Sequence, residues 1–215
     1  MVKEMRNIAK SFFRLCGFEV KRLPLCEPYE CLKQFDIRTV LDIGANVGQF
    51  AGMIHRVLPA ASIFSFEPIE ECYDNILKNM GNVPNFRAFN FGLGDDDANV
   101  EMNVNDFSPS SSLLPMTDTH IKAFPFTAKK HTRLVTIKRL DTVTKGINLN
   151  DNMLVKIDVQ GYEDRVIRGG QDTISRAEIV IVETSFQCLY EGQPMFEYIY
   201  EVLTKMGFSY RGALE

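Results

Sequence analysis

The stretch Thr39-Val40-Leu41-Asp42-Ile43-Gly44-Ala45-Asn46-Val47-Gly48 decides how this chain is read. Val40, Leu41 and Ile43 are apolar and suit a strand buried on both faces. Gly44 ends that run, and Gly48 opens a helix-like segment. Strand, glycine turn and helix is the local architecture that binds nucleotide-like cofactors in open α/β sheets.

The spacing of the glycines narrows the cofactor. A dinucleotide fingerprint has G-x-G-x-x-G, whose second glycine lets the backbone approach a pyrophosphate. Asn46 stands there instead, so its side chain disfavours NAD and FAD. A P-loop needs G-K-[ST], and Gly48-Gln49-Phe50 does not supply it. Asp42, Gly44 and Gly48 form D-x-G-x-x-x-G, which suits S-adenosylmethionine. That cofactor has no phosphate; its ammonium can meet a carboxylate, and its carboxylate can meet backbone N–H groups. The alternative is an ordinary strand-to-helix turn that uses glycine for its positive φ.

Outward from this turn, the helix Val47–Leu58 and the strand Ser62–Phe66 lead to Glu67-Pro68. Glu67 lies 23 positions beyond Gly44, near the spacing of the acidic residue that binds a ribose diol. Ile69–Met80 reads as a helix and Phe86–Gly92 as a third strand. Its turn, Leu93 to Asp97, offers Asp95 as an acceptor for an adenine amino group. The cofactor set is therefore Asp42, Gly44, Asn46, Gly48, Glu67 and Asp95.

Residues 98–141 interrupt the β-α rhythm. Ala98–Val104 and Leu134–Leu140 read as a β pair around a long loop with Ser110-Ser111-Ser112, His120 and His131. A loop of that length is expected to be a lid over the substrate or a mobile excursion. Met153–Ile157 is the fourth strand, and it delivers Asp158 to the cleft. Glu163–Arg176 is a helix, and Glu178–Val182 is a fifth strand ending at Glu183. In a 3-2-1-4-5 sheet the ligand binds where the strand order reverses, so Asp158 should face Gly44. Pro194–Met206 is a last helix, and Phe208-Ser209-Tyr210 begins a sixth strand.

The 215 residues fit one main domain over 37–215 with an N-terminal helical extension over 1–36. A 45% hydrophobic, 24% charged composition is that of a globular fold. The net charge of −4 does not support a nucleic-acid binder. No apolar run suits a membrane span, and the N-terminus lacks the apolar core of a secretory leader. Five cysteines without C-x-x-C predict reduced thiols and a cytoplasmic setting. Residues 1–18 read as an amphipathic helix, and residues 1–22 carry six basic and two acidic side chains. This helix is expected either to pack on the main domain or to touch an anionic membrane surface.

Together these segments resemble the FkbM family of S-adenosylmethionine-dependent methyltransferases. The resemblance runs from about Val40 to Tyr210. It rests on Asp42 to Gly48, Phe66-Glu67-Pro68, Ser110 to Leu113, Leu140-Asp141, Lys156 to Glu163 and Glu183-Thr184-Ser185. The Lys156-Ile157-Asp158-Val159-Gln160-Gly161-Tyr162-Glu163 run is the specific motif; the glycine turn occurs across methyltransferases. The resemblance implies an α/β, Rossmann-like class I methyltransferase fold: a mostly parallel sheet, helices on both faces, and a β-pair insertion between strands three and four. The family usually ends with two further strands, which are incomplete here. An open edge would then be free to pair with a second copy as a homodimer.

The implied reaction is methyl transfer to oxygen, on a hydroxyl of a sugar, glycan or natural product. The acceptor is a small molecule, a sugar or a lipid-linked glycan. Asp158 is the first candidate for general base and Glu183 the second. The histidines at 120 and 131 are weaker candidates, and Lys156 and Glu163 suit structure as well as chemistry. Two carboxylates also suit a divalent cation without establishing one. The family often has Glu where Gln160 stands, so no charge-based role is assigned there. The rival functions are a nicotinamide-dependent oxidoreductase and a non-catalytic module that only binds S-adenosylmethionine.

Overall fold

The computed structural model describes residues 29–105, 111–124 and 130–214. The expected basic helix over 1–18 and any membrane contact through it lie outside the described residues, as do the parts of the expected lid at 106–110 and 125–129. The chain divides into two compact units, residues 1–30 and 31–215, a few positions before the expected boundary. Among the described residues no helix is long and apolar enough to cross a membrane.

Strand β1 (Thr39–Ile43) is buried along its whole length, as a two-sided apolar run requires. Strands β2 (Ser62–Phe66), β3 (Phe86–Phe89), β7 (Met153–Ile157) and β8 (Ile179–Val182) join it. The order is β3-β2-β1-β7-β8, with every pairing parallel. It is the expected 3-2-1-4-5 arrangement, with its switch point between β1 and β7.

Alternation along the strands sorts their side chains between the two faces. Leu41, Ile43, Met153, Val155 and Ile157 pack with Val166, Ile167 and Ile174 of the helices after β7. Val40, Ile63 and Leu154 are fully buried on the other face. The helices α1 (Gln49–Val57) and α2 (Glu70–Met80) bury Ile54 and Ile76 completely. Each such aliphatic side chain contributes roughly 1.5–3 kcal/mol by leaving water.

The inserted β pair forms as expected, with β5 (Ala98–Asn105) antiparallel to β6 (Lys130–Arg139). The third strand, however, stops at Phe89. Residues 92–94 instead form β4 (Gly92–Gly94), which pairs with β6 in a second, three-stranded sheet. Close approach explains the switch. A Cβ at Gly92 or Gly94 would lie 2.7 or 2.8 Å from the Ile137 side chain, so glycine lets β4 approach β6 without moving that side chain.

The helix expected over Glu163–Arg176 is broken into α5 (Glu163–Gly169) and α6 (Gln171–Ile174). Asp141 accepts from the backbone N–H of Asp172 and Thr173, at 3.2 and 2.8 Å, and caps the second piece. Between β6 and β7, α4 (Leu140–Val143) carries that aspartate. The last helix, α7 (Phe196–Lys205), ends at Gly207, whose φ is 97°. The Phe208 N–H closes back on Leu203 O at 3.0 Å. Tyr210 then packs edge-on against Phe196 and Tyr200, so residues 208–210 do not form the expected sixth strand.

Candidate active site

The glycine turn is fastened to the end of β2. Gly44 and Ala45 both donate their N–H groups to Phe66 O at 3.1 Å. The next amide, Asn46 N–H, donates to Glu67 Oε2 at 2.8 Å, and Glu67 Oε1 accepts from Ile69 N–H at 2.9 Å. Asn46 has a left-handed φ of 49°, a conformation asparagine tolerates. Its Oδ1 accepts from the Cys72 thiol at 3.4 Å. Gly44, at φ 76°, is forced by close approach: a Cβ there would sit 1.8 Å from Asp158 O. The two turns meet at the switch point, where Asp158 N–H donates to Ile43 O at 3.1 Å, and both line the expected crevice.

An open cleft of about 870 Å³, solvent at its mouth included, lies over these strand ends. Gly44, Asn46 and Glu67 line one side, and Asp158, Gln160 and Glu183 line the other. Pro68, Ile69 and Leu113 add apolar wall. A mostly preformed concavity with a few convergent polar groups is what a small-molecule site requires.

Asp42 is not part of that lining. It is fully buried, one layer below the cleft. Its register partner on β7 is Lys156, whose Nζ lies 3.4 Å from Asp42 Oδ1. The Ser65 hydroxyl donates to Asp42 Oδ2 at 3.1 Å. Lys156 also donates to Gly44 O at 2.8 Å and lies 3.3 Å from Asp158 Oδ2. One buried ammonium therefore ties together the glycine turn, the strand beneath it and the candidate base. Asp42, expected as a cofactor ligand, stands in the structure as the counter-ion of that ammonium. Burial pushes its carboxyl above the usual range, against the pull of Lys156 and Ser65. Burial also disfavours the Lys156 charge, but Asp42 and Asp158 outweigh it and hold the ammonium above its ordinary range.

Asp158 and Glu183 end adjacent strands and share one donor. Gln160 Nε2 donates to Asp158 Oδ1 at 2.9 Å and to Glu183 Oε2 at 2.5 Å. Burial raises the Asp158 carboxyl, but the Lys156 charge and the surrounding donors overcome it and leave it lowered. Glu183 is pushed up to about 8, by burial first and then by Asp158 and Glu163. Solvent at the cleft mouth screens part of that rise. Neighbouring carboxyl groups with opposed shifts can hold one proton between them. Glu163 is buried below, where its Oε1 accepts from the N–H groups of Val159 and Gly161 at 3.2 and 3.1 Å. It fixes the turn that presents Gln160, and burial pushes its carboxyl up.

Glu67 is 5% exposed and faces the cleft, with its carboxyl pushed up to about 7. Burial is the larger cause, opposed by the two backbone donors. Gly48 does not reach the cleft; it caps α1 and packs toward Ile76. Asp95 does not reach it either. Arg168 Nε and Nη2 donate to Asp95 Oδ2 at 3.2 and 3.1 Å, and Arg165 lies 3.8 Å away. The carboxylate expected to meet adenine is paired with the arginines of α5, outside the cleft lining. His131 is exposed on β6. His120 is buried on the short helix α3 (Asp118–Ala123), edge-on to the Tyr190 ring at 5.0 Å. The described part of the expected lid, residues 111–124, is fastened down: Ser112 pairs with Asn103, and Met116 with Tyr190.

Among the described residues no group of three or more His, Cys, Asp or Glu side chains is placed to hold a metal ion. Cys31, Cys72 and Cys188 are free thiols. Sequence reasoning left Gln160 without a role and passed over Tyr190. Opposite charges inside two apolar strands, Asp42 and Lys156, were the available signal for the buried ion pair.

Residues 42–210 match the methyltransferase FkbM domain family. The 2-O-methyltransferase NoeI of Sinorhizobium fredii is 29% identical over 175 residues, 76% of this chain and 70% of its own. Methyltransferase 1 of Beauveria bassiana is 30% identical over 145 residues, 62% and 58% of the two chains. The hexuronic acid methyltransferase AglP of Haloferax volcanii is 26% identical over 143 residues, 66% and 54% of the two. The chain thus spans less than two thirds of the length of the latter two relatives. Of solved structures, the plantazolicin methyltransferase BpumL in complex with SAH aligns with a TM-score of 0.43 at 15% identity, covering 84% of this chain and 60% of its own. A methyltransferase FkbM from Methylobacillus flagellatus aligns at 0.43 and 17%, covering 67% and 32%.

Proposed function

The chain belongs to the methyltransferase FkbM domain family, and from that membership we propose that it moves a methyl group from S-adenosylmethionine to a hydroxyl of a sugar, glycan or natural-product acceptor. The observation that carries this reading is one cleft with two unlike walls: a fixed carboxylate, Glu67, and a proton-sharing pair, Asp158 and Glu183. The oxygen acceptor is supported by two relatives, named a 2-O-methyltransferase and a hexuronic acid methyltransferase.

The residues present fit S-adenosylmethionine. Each Glu67 oxygen accepts one backbone N–H, which leaves each a further lone pair for a ribose diol. Gly44 and Asn46 supply the turn beside it. The cofactor supplies an electrophilic methyl on a sulfonium. The chain's own task is to align the acceptor oxygen and exclude water, which is where positioning lowers the barrier. Asp158 takes or orients the hydroxyl proton; its carboxyl, held low by Lys156, is ionised and ready to accept. Glu183, pushed up to about 8, already holds the pair's one proton and keeps it singly charged until Asp158 takes the proton of the acceptor hydroxyl. The apolar wall at Ile69 and Leu113 limits water at the reacting centre.

The test has two stages. Calorimetry or thermal shift with S-adenosylmethionine and with NAD should show binding of the first only. Incubation with methyl-labelled S-adenosylmethionine and fractionated extract should then label a methyl ether. Binding of NAD alone would favour an oxidoreductase. Tight cofactor binding with no labelled product from sugar- or natural-product-rich fractions would favour a non-catalytic module.

A further inference from the structure

Gln160 is held by three separate parts of the chain. Glu163 fixes the turn around it from below. The Ser112 hydroxyl, from the inserted segment, donates to Gln160 O at 2.6 Å. The Tyr190 hydroxyl, from the loop after β8, donates to Gln160 Oε1 at 2.9 Å. The two carboxyl groups take the NH₂ of the amide, so its oxygen faces Tyr190 and accepts from the phenol, which holds the NH₂ on the pair.

Tyr190 is itself fastened to the insertion. Its loop pairs with residues 115–117: Thr117 N–H donates to Leu189 O at 2.9 Å, and Glu191 N–H donates to Pro115 O at 2.8 Å. The ring is 1% exposed and stacks edge-on with His120 of the insertion. The inserted segment therefore reaches the carboxylate pair twice, through Ser112 and through Tyr190, and both contacts converge on Gln160.

We infer that Tyr190 is a positioning residue for proton handling: through Gln160 its hydroxyl fixes the donor that bridges Asp158 and Glu183, so that docking of the inserted segment onto the loop after β8 sets the geometry of the pair. The inference deepens the methyl-transfer reading and rests on it for its meaning, but its test does not require turnover. The charged or titratable groups facing the pair are Lys156 from β7 with Asp42 behind it, Glu163 from α5, and Tyr190 with His120 behind it. Among them, only Tyr190 reaches the bridging amide by its side chain.

The experiment is a pH titration of the full chain with ¹³C-carboxyl-labelled aspartate and glutamate, with S-adenosylhomocysteine present. Signals are assigned with Asp158→Asn and Glu183→Gln. Tyr190→Phe keeps the ring and removes only the hydroxyl. It should tighten proton binding in the upper step of the pair by about threefold or more, because the ionised form loses a well-aimed donor. Gln160→Met should give at least the same shift, and adding Tyr190→Phe to it should give no more. An unchanged titration in Tyr190→Phe overturns the inference, as does an equal Tyr190→Phe shift in the Gln160→Met background. Should Tyr190→Phe unfold, Gln160→Met alone decides, since an unshifted pair in that variant overturns the bridge on which the inference stands. Failure of methyl transfer in the wild type would sink the functional reading alone and leave this linkage to be decided by the titration.

Discussion

Glu67 and Asp158 stand on either side of β1, at the ends of β2 and β7, yet they are held in opposite ways. Glu67 is gripped by two backbone N–H groups, those of Asn46 and Ile69. Asp158 is gripped by side chains, the Lys156 ammonium and the Gln160 amide. Backbone donors move only if the turn itself moves. Side-chain donors can rotate as charge shifts. One wall of the cleft is therefore suited to holding a ligand in a fixed place, and the other to accommodating a proton in transit. The same functional group, a carboxyl, takes two roles through its partners.

Replacing Asp158 is the severest way to break that contrast. Asp158→Ala should abolish methyl transfer, by at least about 10³-fold, while affinity for S-adenosylmethionine stays within about threefold. Labelled-methyl transfer and calorimetry on the same preparation read the two effects. Loss of cofactor binding alongside activity would merge the two walls into one.

The next largest effect should come from the cation beneath both. Lys156→Met removes the counter-charge of buried Asp42 and leaves it the Ser65 hydroxyl. Stability should fall by about 3–5 kcal/mol in denaturant unfolding, the usual consequence of orphaning a buried charge. Adding Asp42→Asn should recover much of the loss. A mild destabilisation in the single variant would mean that Asp42 is already neutral.

That ion pair also marks where the sequence stopped being legible. The buried strands, their order and the turn at Gly44 could be read because apolar runs and glycine spacing are local signals. Asp158, Glu183 and Glu67 could be read because open sheets place ligands at the strand ends. The place of Asp42 could not be read because its side chain follows strand alternation into the interior, out of the cleft lining. The register with Lys156 is a property of the assembled sheet. Tyr190 could not be found at all, since it lies 30 positions from Gln160 and reaches it only once the insertion has docked. The strand expected at Phe208 failed for a local reason that spacing does not reveal, the closure of the α7 end on Leu203.

Glu67 offers a subtler probe of the fixed wall. In the unfolded chain a glutamate titrates near 4.5, and in the fold Glu67 is pushed up to about 7. The folded state thus binds the proton more tightly. Its stabilising share is complete below about pH 4.5 and is lost as the pH rises through about 7, by up to about 3 kcal/mol. Glu67→Gln removes that group's slope, so the variant should close the gap on the wild type, or overtake it, between about pH 5 and about pH 8. Cofactor affinity should fall by about tenfold, because an amide cannot accept at both positions. Parallel stability curves for the two proteins would show that Glu67 stays ionised, and unchanged affinity would remove it from the ribose side.

The smallest effect should come from a carboxylate that belongs to neither wall. Asp95 sits in the field of Arg168 and Arg165, where half-exposed ion pairs contribute little. Asp95→Asn keeps the shape and removes the charge, so stability should change by less than about 1 kcal/mol. Affinity for S-adenosylmethionine should change by less than about twofold, since the side chain points to α5 and does not line the cleft. Calorimetry decides it. A tenfold weakening would mean that Asp95 leaves its arginines when the cofactor binds, and the fixed wall would then include a residue recruited from the second sheet's own turn.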